Sequence, residues 1–300
     1  MMPPRMPALR LQARHARGFT LVEAVIVIVV IGIIGAIVAV FLRAPLLGYV
    51  DTVARAEASD EADLALRRMA RDIRLALPNS VRVSPNGDAI EFLLTTAGGR
   101  YLAVEDGAAA GTPLDFVNPA VTDFTVVGGL RGNVAAGDFV VVFNLGPGNA
   151  PADAWNLRAA DRNIARVVQA AQAEAGTLRL ADNPFARGDD AMPSPGRRFQ
   201  VVSGAVMYRC EAEGAGFVLR RFARHDIEPA MPAVPRNGTV AVLARRVAAC
   251  ANLFRYGAND DELRRTALVL LSLSLHTRNA GDAAERTVRL VHQVQVDNTP

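Results

Sequence analysis

From Ala24 to Leu42 the chain reads AVIVIVVIGIIGAIVAVFL, without one charged or strongly hydrogen-bonding side chain, and Arg43 closes the run. At a rise of about 1.5 Å per residue this segment spans the hydrocarbon core of a bilayer as a single helix. No other feature constrains the fold as much, because a helix apolar on every side has no polar face to give to water. One residue disturbs the pattern. Glu23 stands just before the run, and a carboxylate at membrane depth costs about 2.5 to 3.5 kcal/mol even on lenient insertion scales. Such a group needs a partner.

Ahead of the apolar run lie Arg5, Arg10, Arg14 and Arg17 with no acidic residue. The positive-inside rule therefore predicts residues 1–18 in the cytoplasm and everything beyond Leu42 on the outer side, in the periplasm. A cleaved secretory signal is the alternative, but it has an apolar region of about 7 to 15 residues closely followed by an Ala-x-Ala site. Here the nearest such triplet, Ala54-Arg55-Ala56, comes too late. The position of Glu23 fits a different cut. Cleavage between Gly18 and Phe19 would create an α-amino group four residues before the carboxylate, at a helix start where the macrodipole also favours negative charge. That amine, on the same chain or on a neighbour, supplies the counter-charge.

These residues carry a family resemblance. Gly18-Phe19-Thr20-Leu21-Val22-Glu23, with a basic leader before it and the apolar run after it, resembles the class III signal of type IV prepilins and pseudopilins. The resemblance implies that a prepilin peptidase cuts after Gly18 and methylates the new N-terminal Phe19, and that Glu23 positions an incoming subunit in a helical filament. The stretches GYVDTVARAEASDEADLALRRMARDIRLALPNSVRV, VVFNLGPGNAPADAW and VSGAVMYRCEAEGAGFVLRRFAR, and the ending RLVHQVQVDNTP, are similar to minor pilins of the mannose-sensitive haemagglutinin (MSHA) pilus system. The overall plan also resembles the J-type minor pseudopilins of type II secretion. What this implies is low-copy incorporation into a fibre, with other minor pilins, the major pilin and an inner-membrane assembly platform as partners. The leader is long and unusually basic for such a signal, with Met2 and Met6 as alternative starts.

Every basic residue is an arginine, and the formal net charge is +3. Removing the leader takes away four, leaving 33 − 4 = 29 Arg against 30 Asp plus Glu, so the processed chain is close to neutral. No block of like charge is left to track phosphates, which excludes nucleic acid as the expected partner. Beyond the membrane run Pro45 should kink or loosen the helix. Residues 50–77 then lack Gly and Pro and are rich in Ala, Leu, Arg and Glu, all good helix formers. Ala62, Leu66, Met69, Ile73 and Leu77 fall on one stripe at helical spacing. Leu64 and Leu75 lie opposite it, either as ordinary exposed leucines or as a second face that meets neighbouring helices.

From Ser80 the period changes to that of strands. Residues 81–83, the turn Ser84-Pro85-Asn86-Gly87-Asp88 and residues 89–94 read as a hairpin, with Asn-Gly supplying positive φ angles. Further strands are expected at 123–127, 139–144, 165–169, 177–180, 199–209, 217–222, 239–247, 252–256, 267–276 and 286–296. Strands that follow a helix in a block argue for an α+β, pilin-like fold with a mostly antiparallel sheet rather than a doubly wound one. Four segments result: a leader over 1–18, a membrane and assembly helix over 19–42, an amphipathic periplasmic half over 43–77, and a periplasmic β-rich domain over 78–300.

Cys210 and Cys250 both follow apolar strands on the outer side, where an even count favours one disulfide tying two strands; unpaired buried thiols are the alternative. His225, His276 and His292 are scattered without ligand spacing, so no metal site is expected. Asp260-Asp261-Glu262 offers oxygen ligands for calcium but reads as a solvated hairpin loop. The loop Asn144-Leu145-Gly146-Pro147-Gly148-Asn149 lacks the lysine of a phosphate loop and reads as a turn after a strand. No catalytic motif, cofactor or small-molecule substrate is expected. A single-span anchored periplasmic enzyme remains the rival class, recognisable by a cleft with perturbed titratable groups and an uncut N-terminus.

Overall fold

The computed structural model describes residues 18–106, 110–169, 176–214, 216–256, 267–277 and 286–299. The leader arginines and the acidic loop at 260–262 lie outside the described residues. The chain divides into two compact units, one ending at Thr52 and one beginning at Val53.

A single helix, α1 (Leu21–Arg74), opens the chain, and its assignment runs unbroken through Pro45. The proline costs one backbone hydrogen bond but does not end the helix, because strong helix formers surround it. Within the first unit the side chains of Val25 to Leu42 are largely exposed, as an apolar run without a protein partner must be.

The second unit begins with the amphipathic part of α1. Ala58, Ala62, Leu66, Met69 and Ile73 are buried on one stripe, while Leu64 and Leu75 are exposed opposite it. The helix stops three residues earlier than its composition suggests. Arg71 and Arg74 in the last turn complement the helix dipole. The next residues then leave the helix for a strand: the Leu77 N–H donates to the Leu93 carbonyl at 2.8 Å, and Thr95 N–H donates to Leu75 O at 2.8 Å. Residues 75–77 thus satisfy their backbone groups on a sheet edge and carry Leu77 into the core.

Twelve strands follow among the described residues: β1 (Arg82–Val83), β2 (Ala89–Tyr101), β3 (Asp123–Gly132), β4 (Phe139–Val141), β5 (Ile164–Arg166), β6 (Thr177–Arg179), β7 (Arg198–Glu213), β8 (Gly216–His225), β9 (Thr239–Val247), β10 (Phe254–Arg255), β11 (Leu268–His276) and β12 (Thr287–Gln295). They form one sheet in the order β10-β11-β9-β8-β7-β2-β3-β6, with β1 beside β2, β12 beside β11, and β4 bridging β5 and β7. Every strand pairing is antiparallel. The fold is therefore α+β, a long N-terminal helix followed by an antiparallel β domain.

β7 is the spine, paired with β2 along most of its length and with β8 and β4 on its other edge. Ile90, Phe92, Val206, Tyr208 and Leu219 meet the buried stripe of α1 in one core cluster. Each buried Val, Leu, Ile, Phe or Met side chain among them contributes about 1.5 to 3 kcal/mol of transfer free energy, so the stripe fixes the helix on the sheet. A second cluster gathers Tyr101, Phe124, Val140, Leu178 and Phe199. A third lies under residues 144–163 and centres on Trp155.

β2 runs seven residues past its expected end at Leu94. Gly98 and Gly99 do not break it, because a Cβ on Gly99 would sit 3.0 Å from the Phe199 ring; the missing side chain lets the strands close over that ring. The hairpin also differs from expectation. Gly87 alone takes a left-handed φ, of 67°, and Asn86 does not. Ser84 organises the turn instead, its hydroxyl accepting from Asp88 N at 3.1 Å and Ala89 N at 2.9 Å.

Candidate functional site

The predicted site residues Gly18, Phe19 and Glu23 lie at the start of α1. Gly18, Phe19 and Thr20 are non-helical and exposed, and nothing lies within 4 Å of the position a Gly18 Cβ would take. The Gly18–Phe19 peptide bond is therefore in irregular, open backbone, the form an endopeptidase can seat in its cleft. Thr20 closes this stretch. Its hydroxyl oxygen accepts a hydrogen bond from the Glu23 N–H at 3.2 Å, and its carbonyl accepts the first helical bond from Ala24 at 3.1 Å. Thr20 is thus an N-cap, with Glu23 at the third helical position as in a capping box. The Thr-x-x-Glu spacing carries this information in the sequence, where it is easily absorbed into the longer signal pattern. The Glu23 carboxylate points outward in the first turn. Among the described residues it has no hydrogen-bond or ion-pair partner.

Immediately after it, α1 is long and apolar enough to cross a membrane, with mean hydropathy 3.4 over its best 18-residue window and none of that window buried. The segment is a candidate membrane anchor.

Two further acids on α1 escaped the sequence reading. Asp72 is buried and accepts from Tyr208 Oη at 2.7 Å and from Arg221 Nε at 2.7 Å, with the Arg68 guanidinium 3.6 Å away. Burial, and then the charge of Asp72, push the Tyr208 hydroxyl well above its ordinary pKa, so it stays a proton donor. Glu61, eleven residues earlier and on the same side, accepts from the Arg245 backbone N–H at 2.6 Å and pairs with Arg246 at 2.9 Å. Both acids fasten the helix to the sheet. Their partners lie far away in sequence, so composition reads them as solvated charges.

Cys210 on β7 and Cys250 are joined in a disulfide. Cys250 sits in the β9–β10 connection rather than on a strand, so the bridge ties the spine of the sheet to a loop. That loop also receives the hairpin turn, since Asn252 N–H donates to Asn86 O and Phe254 N–H to Gly87 O, each at 2.9 Å. The 144–149 loop is a structural corner. Asn144 donates to Pro78 O at 2.7 Å and accepts from Ala154 N–H at 3.0 Å, pinning the loop to the segment that leaves α1.

No cluster of three or more metal-ligating side chains occurs among the described residues. One open cleft of about 510 Å³ is lined by Asp161, Arg162, Asp182, Asn183 and Arg187, and Arg162 is already committed to Asp182. The strongly perturbed acid and base, Glu91 and His225, do not line it; both are buried elsewhere in the sheet. Among the described residues, this cleft and the perturbed pair are separate.

A family model for the prokaryotic N-terminal methylation motif matches residues 13–39. No curated protein and no solved structure matches the chain. The motif spans the non-helical Gly18–Thr20 segment, Glu23 and most of the apolar run. Together with the helix-then-sheet fold it supports a chain of the type IV pilin or pseudopilin kind, a structural rather than enzymatic class. It implies processing by a prepilin peptidase and assembly with other pilins.

Proposed function

We propose that this chain is a minor pilin similar to MshO, incorporated at low copy into a type IV pilus of the MSHA type, where it helps start or stabilise the fibre. The leader stays in the cytoplasm and the β domain reaches the periplasm. Prepilin peptidase then cuts between Gly18 and Phe19 and methylates Phe19, and the assembly platform lifts α1 from the membrane into a bundle of pilin helices. The observation that carries this proposal is the Glu23 carboxylate, unpartnered among the described residues, in the first turn of the apolar helix, four residues after the exposed Gly18–Phe19 segment. A new amine at Phe19 neutralises that charge in surroundings where an isolated one is costly.

A J-type minor pseudopilin of type II secretion, which the overall plan of the chain also resembles, is the alternative reading. Neighbouring genes distinguish the two systems.

N-terminal sequencing of the membrane-extracted chain tests the proposal. Phe19 at the terminus, methylated, is the expected result; a retained leader points to the anchored-enzyme class. Glu23→Gln should leave insertion and cleavage intact yet impair incorporation into the fibre. Normal fibre incorporation in that variant removes the proposed role of the carboxylate.

A further inference from the structure

Glu91 and His225 face each other in the interior of the sheet. Glu91 lies on β2 between Arg82 of β1 and Met207 of β7, and His225 ends β8 opposite Ala205. Both side chains are completely buried, with His225 Nε2 3.2 Å from Glu91 Oε1. The other ring nitrogen fixes the tautomer. His225 Nδ1 lies 3.0 Å from the Asp226 carbonyl oxygen, which only accepts, so Nδ1 carries the hydrogen. In a neutral ring Nε2 is then a bare lone pair. It lies beside a carboxylate oxygen that has no donor of its own, and neither atom makes a hydrogen bond to any other group. Two lone pairs at that distance in a dry site repel, whereas one proton in the gap turns the contact into a strong hydrogen bond.

We propose that Glu91 and His225 hold one proton between them, and that this proton latches residues 226–238 onto the face formed by β1, β2 and β7, the latch opening as the proton is lost with rising pH.

The surroundings explain why the proton is retained and what it holds. On the far side of the carboxylate Arg82 donates from Nε to Oε2 at 2.7 Å. The same guanidinium donates to Pro229 O at 2.6 Å and Glu228 O at 2.9 Å, and lies 3.6 Å over the Trp155 ring. The other charges nearby are Asp226, beside the ring, and Asp153, which acts on Arg82. Glu228 turns its own carboxylate towards Arg158, 3.7 Å away. Burial pushes the Glu91 carboxyl up to about 7, against the pull of Arg82, and pushes the His225 ring down to about 4. Both shifts favour a proton on the carboxyl, donated to Nε2. The segment after His225 is closed on itself, with Asp226 N–H donating to Arg236 O at 3.1 Å and Asn237 held by the Asp226 carboxylate. It is tied to β7 through Arg209, which donates to Ala233 O at 2.6 Å. Loss of the shared proton to hydroxide leaves Glu91 fully charged and drawn to Arg82, and drives His225 away. His225 is covalently the root of the closed segment, so the segment loosens as one piece.

The test uses the full chain in detergent micelles, labelled with 15N at histidine, with the His225 signals assigned by comparison with His225→Gln. At mildly acidic pH, above the titration of His225 and below that of Glu91, the spectrum should show a protonated Nδ1 and a hydrogen-bonded Nε2. Between about pH 5 and 9, the range in which a pair of this kind titrates, amide exchange in residues 226–238 should accelerate beyond base catalysis, while residues 111–122 follow base catalysis alone. Glu91→Gln places a permanent N–H donor in the gap and should abolish the extra acceleration. An unprotonated Nδ1, an Nε2 without a hydrogen bond, or exchange in 226–238 that tracks the other loop overturns the proposal. The native-sequence spectra decide this even if Glu91→Gln does not fold.

Discussion

Asp72 offers the sharpest test of how α1 is held to the sheet. Its carboxylate, about 8% exposed, takes hydrogen bonds from Tyr208 Oη and Arg221 Nε, and the Arg221 side chain is itself only 14% exposed. Asp72→Ala leaves a buried guanidinium without its counter-ion and a buried phenol without its acceptor. Breaking such a pair costs about 3 to 5 kcal/mol, most of it the uncompensated charge rather than the lost attraction. Asp72→Asn keeps an acceptor for Tyr208 and removes only the charge, so it should cost less. Arg221→Met removes the other partner, and Asp72→Ala with Arg221→Met leaves no orphaned charge. The double variant should therefore be more stable than the sum of the single losses by about 0.5 to 3 kcal/mol, the range measured for residues in direct contact. Denaturant unfolding of the full chain in detergent, followed by the fluorescence of Trp155, reads this directly: it is the sole tryptophan and is fully buried. Additivity of the two substitutions within about 0.5 kcal/mol would refute the clamp and leave the apolar stripe and Glu61 to hold the helix.

Three other outcomes follow from single contacts. Replacing Cys210 and Cys250 together by Ala should lower stability by about 4 kcal/mol, the loop-closure value for a separation of 40 residues; an unchanged denaturation midpoint under reducing and non-reducing conditions would remove that contribution. Thr20→Ala should cost about 1 kcal/mol of helix capping, seen as faster hydrogen exchange at the Glu23 amide, with protection restored by Thr20→Ser. The third concerns pH. Glu91 is raised from 4.5 to about 7 in the fold, so its contribution is complete below 4.5 and is lost as pH rises through 7. His225 is lowered from 6.5 to about 4, so its contribution is complete above 6.5 and is lost as pH falls through 4. Between 4.5 and 6.5 the unfolded chain carries the proton on His225 and the folded chain on Glu91, so the two slopes cancel. Stability should rise with pH across this window in Glu91→Gln and fall with pH in His225→Gln; the same slope in both variants would contradict the assignment.

Local features of the sequence carry much of the fold. The run from Val201 to Cys210 is apolar on both faces because β7 is buried on both, and LVLLSLSLH at 268–276 alternates because only one face of β11 is buried. The buried stripe of α1 is legible for the same reason: helical periodicity is a property of neighbours in sequence. What was not legible depends on partners far along the chain. Asp72 and Tyr208 are 136 residues apart, and Glu61 and Arg246 are 185 apart. Nothing near either acid distinguishes it from Glu57 or Asp63 on the same helix. The helix ends before its composition predicts for a related cause, since Leu75 to Leu77 have good helical propensity but find better backbone partners on β2, an outcome of tertiary context over propensity.

The acids of α1, taken together, sort by solvent and partner. Glu61 and Asp72 find arginine or backbone donors within the folded domain, and Asp63 faces Arg67 one turn on, at 2.7 Å. Glu23 alone among them adjoins the apolar run, and no arginine among the described residues pairs with it. A carboxylate left unpaired in a place that penalises charge is a site for a cation from elsewhere. In the function proposed above that cation is the α-amine created at Phe19, on this chain or on a subunit already in the fibre. This is why the charge-neutral Glu23→Gln should insert as well as the native helix, or better, and still fail at assembly: it removes the cost of the charge and the attraction together.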